Sequence, residues 1–134
     1  ATGRAIYNGA APQLKKVSLE LGGKNPVIVF DDADFEVAVS GAATAAFANQ
    51  GQVCLCGSRL FVQEGLYQKF RDALVEKAKA IKIGDPLEED TQHGAQVSRE
   101  HMEKILSYID LARQEGGKIL CGGNRRILPG RCVD

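Results

Sequence analysis

One cysteine and one glutamate stand in local sequences that suit them for chemistry. Cys54 closes the segment 47–54, FANQGQVC, in which an alanine-rich helical run ends in a glycine turn. Backbone N–H groups beside a helix end favour a nucleophilic thiolate. Glu20 is the only charged residue in the apolar run 19–23, LELGG, whose glycines let another group approach the backbone closely. These two residues are therefore our candidates for a nucleophile and a general base.

The two segments resemble the active-site signatures of the aldehyde dehydrogenase superfamily. Residues 19–23 are similar to its glutamate signature and residues 47–59 to its cysteine signature, in the family's order. The resemblance extends over nearly all of the 134 residues, whereas family members are several-fold longer, so we expect an internal segment. It implies that residues 1–22 are the tail of a nucleotide-binding domain and residues 23–134 the N-terminal part of a catalytic domain.

The resemblance implies an oxidoreductase that converts an aldehyde to a carboxylic acid with NAD or NADP. Cys54 would attack the carbonyl carbon to form a thiohemiacetal, and the Cys54 backbone N–H is a candidate donor to its oxyanion. Hydride transfer to the cofactor would leave a thioester, and Glu20 would activate the water that hydrolyses it. Family members that transfer the acyl group to coenzyme A lack this glutamate, so Glu20 favours an acid product.

The resemblance also implies contacts with the cofactor. Leu21 and Gly22 would contact the nicotinamide, and Gly3 looks like the tail of the family's glycine-containing nucleotide loop. No G-x-G-x-x-G fingerprint is present. The resemblance implies that the family's oxyanion-hole asparagine lies upstream of this segment and that its cofactor lysine has no counterpart here, so we expect weak dinucleotide binding, or none, by this chain alone.

The amino-acid composition of the chain limits the classes of molecule that it is expected to bind. Seventeen basic and seventeen acidic residues give zero formal net charge, which disfavours nucleic acid and anionic membranes and favours a small-molecule aldehyde. No apolar run approaches the ~20 residues of a membrane span. Four cysteines without a secretory signal suggest reduced thiols in the cytoplasm, and with only two histidines they lack zinc-site spacing, so we expect no metal.

These residues also have purely structural interpretations. Cys56, Cys121 and Cys132 fit small, inert side chains, Gly51 fits a turn, and Glu20 by composition alone fits the outward face of an edge strand. The two histidines, His93 and His101, fit solvated positions.

Two hypotheses on function stay open. The first is the dehydrogenase, a homo-oligomer in its full-length form. Its segments 23–26 and 54–59 look most similar to the branch that oxidises muconate-type semialdehydes. The second is a catalytically incomplete fragment or pseudoenzyme that acts as an αβ module in subunit contacts.

The elements predicted around these residues alternate between strand and helix. This order is typical of an α/β fold, with a mostly parallel sheet and flanking helices, in this case part of the catalytic domain of the family. The apolar stripes that contain Phe70 and Leu106 are predicted core. We expect strands over residues 17–21, 27–30, 59–63 and 118–121, and helices over residues 35–49, after residue 65 and after residue 98.

Overall fold

The computed structural model describes residues 1–127. Cys132, interpreted above as inert, therefore lies outside the described residues. Six elements run in chain order, with 3₁₀ turns after α1 and α2 at Ala11–Gln13 and Ala48–Gly51. The elements are α1 (Thr2–Ala10), β1 (Pro26–Val29), α2 (Phe35–Phe47), β2 (Arg59–Val62), α3 (Glu64–Ala80) and α4 (Arg99–Gln114).

Strands β1 and β2 form a parallel pair that α2 connects. The register places Pro26 opposite Arg59 and Val29 opposite Val62. Parallel strands need a crossover connection, and the alanine-rich α2 supplies it. The helix begins after Asp34, whose side chain accepts a hydrogen bond from the Val37 N–H at 3.0 Å. The predicted α/β class is confirmed, and the sheet among the described residues has these two parallel strands.

The core lies between this sheet and the helices α2 and α3. Phe70 of α3 is fully buried, and Val39 and Ala42 of α2 pack with it and with Val29. The Phe35 and Phe70 rings lie nearly perpendicular to each other at 6.2 Å between centroids, a favoured geometry for aromatic pairs. The predicted core role of Phe70 is confirmed, whereas Leu106 of α4 is only half-buried.

Two predicted strands are wrong. Residues 17–21 and 118–121 have no strand structure, because no other described segment pairs with either of them. An isolated apolar run cannot satisfy its backbone groups as a strand without a neighbour. In place of pairing, Leu19 and Leu21 cover Gly3 of α1, where a Cβ atom would lie 3.1 Å from a methyl group of each leucine.

The loop before helix α4 is stabilised by backbone and side-chain hydrogen bonds within the loop. Ile83 and His93 form an isolated bridge, and the Gln92 side chain accepts from the Lys82 N–H at 2.8 Å. The helix begins at Ser98, whose Oγ accepts from the His101 N–H at 3.1 Å. Within residues 1–127 the helices lack the length and apolar character that crossing a bilayer requires.

Candidate active site

The chain reverses direction between the end of α2 and Cys54. Asn49, Gln50 and Gly51 adopt positive φ angles of 50°, 57° and 73° in succession. This left-handed conformation costs non-glycine residues roughly 1–2 kcal/mol each, and asparagine and glycine adopt it most readily. The Asn49 side chain donates to the Gln52 carbonyl at 3.2 Å. The predicted turn role of Gly51 is confirmed, and α2 ends at Phe47, two residues before its predicted end.

Cys54 stands at the corner of a tight turn. The Cys56 N–H donates to the Val53 carbonyl at 3.0 Å and closes this turn. The turn exposes Cys54 and buries Cys56, whose Sγ lies 3.8 Å from the Ala46 carbonyl oxygen. The two nearby thiols therefore have opposite surroundings, as expected for a reactive and an inert cysteine.

Gly57 allows the Cys54 turn to lie close to the sheet. Its N–H donates to the Ala45 carbonyl at 2.8 Å, which ties the turn to the last part of α2. A Cβ atom at position 57 would overlap the Val27 side chain and lie 3.1 Å from Ala45 Cβ. Only glycine lets the backbone pass between β1 and α2 at this point.

Glu20 lies on the same groove as Cys54. The groove encloses about 990 Å³. One wall is the irregular segment that carries Glu20, Leu21 and Gly22, and its floor includes Cys54. Glu20 is exposed in this chain and belongs to no strand, in contrast to the apolar strand that the sequence predicts for it. The groove nevertheless brings together the candidate nucleophile, the candidate base and two of the three candidate cofactor contacts.

The third candidate cofactor contact lies elsewhere. Gly3 is buried in the first turn of α1, beneath Leu19 and Leu21, and does not line the groove. The segment predicted as a loop tail is therefore the start of a helix. A contact between Gly3 and a cofactor stays a prediction.

Helix α4 also lines the groove. Its groove-facing residues recur at helical spacing, and they are His101, Lys104, Ile105, Tyr108, Ile109 and Ala112. The sequence predicts a solvated His101, whereas the structure shows it half-buried along this groove. The sequence contains a sign of this exposure to a groove. Polar residues at positions 101, 104 and 108 interrupt an apolar stripe that would otherwise indicate a helix face packed in the core.

Asn25 joins the two segments that carry the candidate residues. Its Nδ2 donates to the Cys54 carbonyl at 2.9 Å and to the Cys56 carbonyl at 3.4 Å. Nearby, Arg59 Nε donates to the Lys24 carbonyl at 3.1 Å. The sequence alone assigns no role to Asn25. A hydrogen bond between residues so distant along the chain leaves no local sequence pattern.

The described residues contain no group of three or more histidine, cysteine, aspartate or glutamate side chains placed to hold a metal ion. The predicted absence of a metal stays a prediction. The described cysteines, Cys54, Cys56 and Cys121, are free thiols.

A sequence model of the aldehyde dehydrogenase family matches residues 1–133. The chain belongs to the aldehyde dehydrogenase family. The resemblance carried by Glu20 and Cys54 is thereby confirmed at the level of the family.

Similar members of the family are named for particular aldehydes. Betaine aldehyde dehydrogenase of Cereibacter sphaeroides is 49% identical over 129 residues, which cover 96% of this chain and 27% of that protein. The 4-trimethylaminobutyraldehyde dehydrogenase of Homo sapiens is 47% identical over 123 residues, which cover 92% of this chain and 25% of that protein. The chain thus spans about a quarter of the length of these relatives.

The same relationship holds among solved structures. Betaine aldehyde dehydrogenase of Staphylococcus aureus, in complex with NAD+, superposes with a TM-score of 0.88 at 47% sequence identity. The match covers 94% of this chain and 25% of that one. Because these three relatives are named for other aldehydes, the finer assignment to the muconate-semialdehyde branch stays a prediction.

Proposed function

We propose that this chain is the part of an aldehyde dehydrogenase subunit that carries the nucleophile and the general base. The subunit oxidises an aldehyde to a carboxylic acid with NAD or NADP. Membership of the family and the shared groove of Cys54 and Glu20 support this proposal. The shared groove is the observation on which it chiefly rests, because the reaction needs both groups at one carbonyl carbon.

Cys54 is the proposed nucleophile. Its thiolate adds to the aldehyde carbon, and the carbonyl oxygen becomes an oxyanion that the Cys54 backbone N–H stabilises. The turn supports this role because it presents the thiol to the groove and leaves it exposed. Crystal structures of the S. aureus relative include forms with a BME-modified cysteine, so a cysteine of that protein reacts with a small reagent.

Glu20 is the proposed general base for the second half of the reaction. Once the carbon attached to Cys54 is at the oxidation level of a thioester, a water must attack it. Glu20 takes a proton from this water, the C–S bond breaks, and the carboxylic acid leaves while the thiol is restored. A glutamate on the groove wall is well placed for this step because it need not contact the thiol itself.

We propose that the nicotinamide end of the cofactor occupies this groove. Leu21, Gly22 and Gly23 line it, and a Cβ atom at Gly22 would meet nothing within 4 Å, so a flat ring could approach this backbone. When bound, NAD or NADP accepts the hydride that leaves the former aldehyde carbon. These residues would hold the ring beside Cys54. The division into residues 1–22 as nucleotide-binding tail and residues 23–134 as catalytic part belongs to this proposal.

The proposed substrate is a small aldehyde. The neighbours of Cys54 in the turn are Val53 and Leu55, and both are exposed apolar side chains that suit the carbon skeleton of such a molecule. The similar relatives are named for betaine aldehyde and 4-trimethylaminobutyraldehyde. These two compounds therefore belong in the test beside unsaturated semialdehydes of the muconate type.

The deciding experiment follows NADH or NADPH formation by the complete subunit with this panel of aldehydes. Cys54→Ala should abolish reduction of the cofactor, because no thiohemiacetal forms. Glu20→Gln should allow one rapid turnover per site and then slow the steady state by about 10²–10⁴-fold, since the thioester waits for hydrolysis. An unchanged steady state in either variant would contradict the proposal.

Two matched variants serve as controls. Cys121→Ala removes another thiol that does not line the groove, and Glu89→Gln neutralises an exposed carboxylate in the loop before α4. Both should retain normal turnover. Loss of activity in these controls would show that any such substitution disturbs the fold.

A second function is supported by the exposed face of the sheet. Ile28, Phe30 and Phe61 are 61%, 62% and 56% exposed, which favours a contact surface for other parts of a subunit or for another copy. In this alternative the chain is a catalytically incomplete αβ module. It predicts that Cys54 in the isolated chain reacts with alkylating reagents no faster than Cys121.

A further inference from the structure

We propose that Asn25 is a positioning residue that holds the Cys54 turn at a fixed place relative to the segment bearing Glu20. The inference rests on the proposed function, since it concerns the same groove. Asn25 is not among the residues that line the groove. It acts through the backbone of the turn.

The hydrogen bonds of the Asn25 amide carry the inference. Its nitrogen has two N–H groups, and its two acceptors are the carbonyl oxygens of Cys54 and Cys56, at 2.9 and 3.4 Å. These carbonyls lie on either side of Leu55 at the tip of the turn. One side chain thus holds the peptide group that follows Cys54 and the peptide group that follows Cys56.

Asn25 is itself held by the start of the sheet. It directly precedes Pro26, the first residue of β1, and a residue before proline strongly prefers extended conformations. Its carbonyl accepts from the Arg59 N–H at 3.3 Å, in the strand that follows the Cys54 turn. The amide therefore projects from a fixed backbone position, which is what a positioning group requires.

The close approach of Gly23 strengthens this coupling. A Cβ atom at position 23 would lie 3.5 Å from the Cys54 carbonyl oxygen and 3.6 Å from the Asn25 amide. The backbone between Glu20 and Asn25 therefore passes directly beside the turn. Movement of the turn relative to Asn25 would change the position of Cys54 relative to the candidate base.

The test substitutes Asn25 in the complete subunit. Asn25→Asp keeps the side-chain shape but removes both donors and places a negative charge against two carbonyl oxygens. Asn25→Ser keeps one donor. Asn8→Ala is the control, because Asn8 is an exposed asparagine on α1 that does not line the groove.

Two readouts separate positioning from a general effect on folding. The first is kcat for aldehyde oxidation, which should fall about 10–100-fold in Asn25→Asp, as expected for misplacement of a reacting group, with KM for the cofactor unchanged. The second is alkylation followed by mass spectrometry. Buried Cys56 should react about tenfold faster relative to Cys54 once the turn loses the amide, because local opening governs access to a buried group.

The serine variant should lie between wild type and Asn25→Asp in both readouts, and Asn8→Ala should match the wild type. If Asn25→Asp does not fold, the same two readouts on Asn25→Ser test the positioning role of Asn25. Wild-type kcat and wild-type Cys56 protection in the folded variants would overturn the positioning role. A wild-type subunit without aldehyde oxidation would instead overturn the proposed function, while the alkylation ratio would still report on Asn25.

Discussion

The backbone next to Cys54 is closely packed against its neighbours. Gly57 lets the backbone pass between the Val27 side chain and Ala45, and its N–H is already bonded to α2. The exposed thiol therefore stands on a closely packed base. Local rigidity of this kind suits a group that must meet a substrate in one geometry.

Gly57→Ala tests this packing. The added methyl group overlaps the Val27 side chain, so we expect a loss of about 1–3 kcal/mol in the free energy of unfolding. Urea denaturation would measure it. Gly41→Ala is the matched control, because a Cβ atom there meets nothing within 4 Å inside α2, and alanine in a helix interior should stabilise by about 1 kcal/mol. Equal effects at both positions would count against the packing argument.

The residues proposed to carry chemistry could be selected from the sequence, but the residues that contact them could not. Cys54 and Glu20 stand in recognisable local segments, and the burial of Cys56 agrees with the usual burial of cysteine, although Cys54 is exposed. Asn25 has no local pattern that marks it, because its acceptors are 29 and 31 residues further along the chain. Its contribution depends on two distant segments meeting.

At the scale of elements, α4 contributes a set of residues to the lining of the groove. Its N-terminus depends on Ser98, which accepts from the His101 N–H, and His101 is itself part of the groove wall. The pKa of Glu100 is lowered, chiefly by its own backbone N–H and then by a hydrogen bond with Ser98. A carboxylate in the first turn also interacts favourably with the helix dipole.

Ser98→Ala should therefore weaken α4 and raise the pKa of Glu100 toward its ordinary value. A lost N-cap destabilises by about 1 kcal/mol, measurable by thermal or urea unfolding. Because the folded-state pKa of Glu100 is depressed, its contribution is present above the ordinary pKa and is lost as pH falls through the lowered one. Titration of Glu100 by NMR in both proteins would measure the shift.

Ser107→Ala is the control for that substitution, since Ser107 lies within α4 and its hydroxyl donates to the Lys104 carbonyl of the same helix at 2.7 Å. It should leave the Glu100 titration unchanged. A Glu100 pKa equal in wild type and Ser98→Ala would contradict the assigned cause.

Helices were more predictable than strands in this chain. The caps at Asp34 and Ser98 and the apolar stripes of α3 and α4 are local features, so α2, α3 and α4 could be placed from sequence. The strands expected over residues 17–21 and 118–121 are absent because a strand needs a partner from elsewhere in the chain. The strands that do form, β1 and β2, satisfy each other.

At the scale of the whole molecule, residues 1–127 leave one face of the sheet uncovered. Val29 and Val62 point toward the helices, while Ile28 and Phe61, partners in the register, are exposed on the other face. Parallel sheets are normally covered on both faces. An apolar face of this kind promotes association in water.

We therefore expect the isolated chain to associate as its concentration rises, as light scattering would show. Phe61→Lys should reduce this association, because the charge interrupts the exposed face. Leu87→Lys should not, since Leu87 is an exposed apolar residue in the loop before α4, outside that face. A monomer at high concentration would contradict the expectation.

The sequence by itself determined the family, the α/β class and the identity of the two residues proposed to react, because these depend on local motifs and on periodicity. Only the tertiary structure decided that Cys54 and Glu20 share a groove with α4, that Gly3 is buried away from it, and that Asn25 bonds to the turn. The physical reason is distance along the chain. Hydrogen bonds and packing between remote segments follow from the folded arrangement, and no short stretch of sequence specifies them.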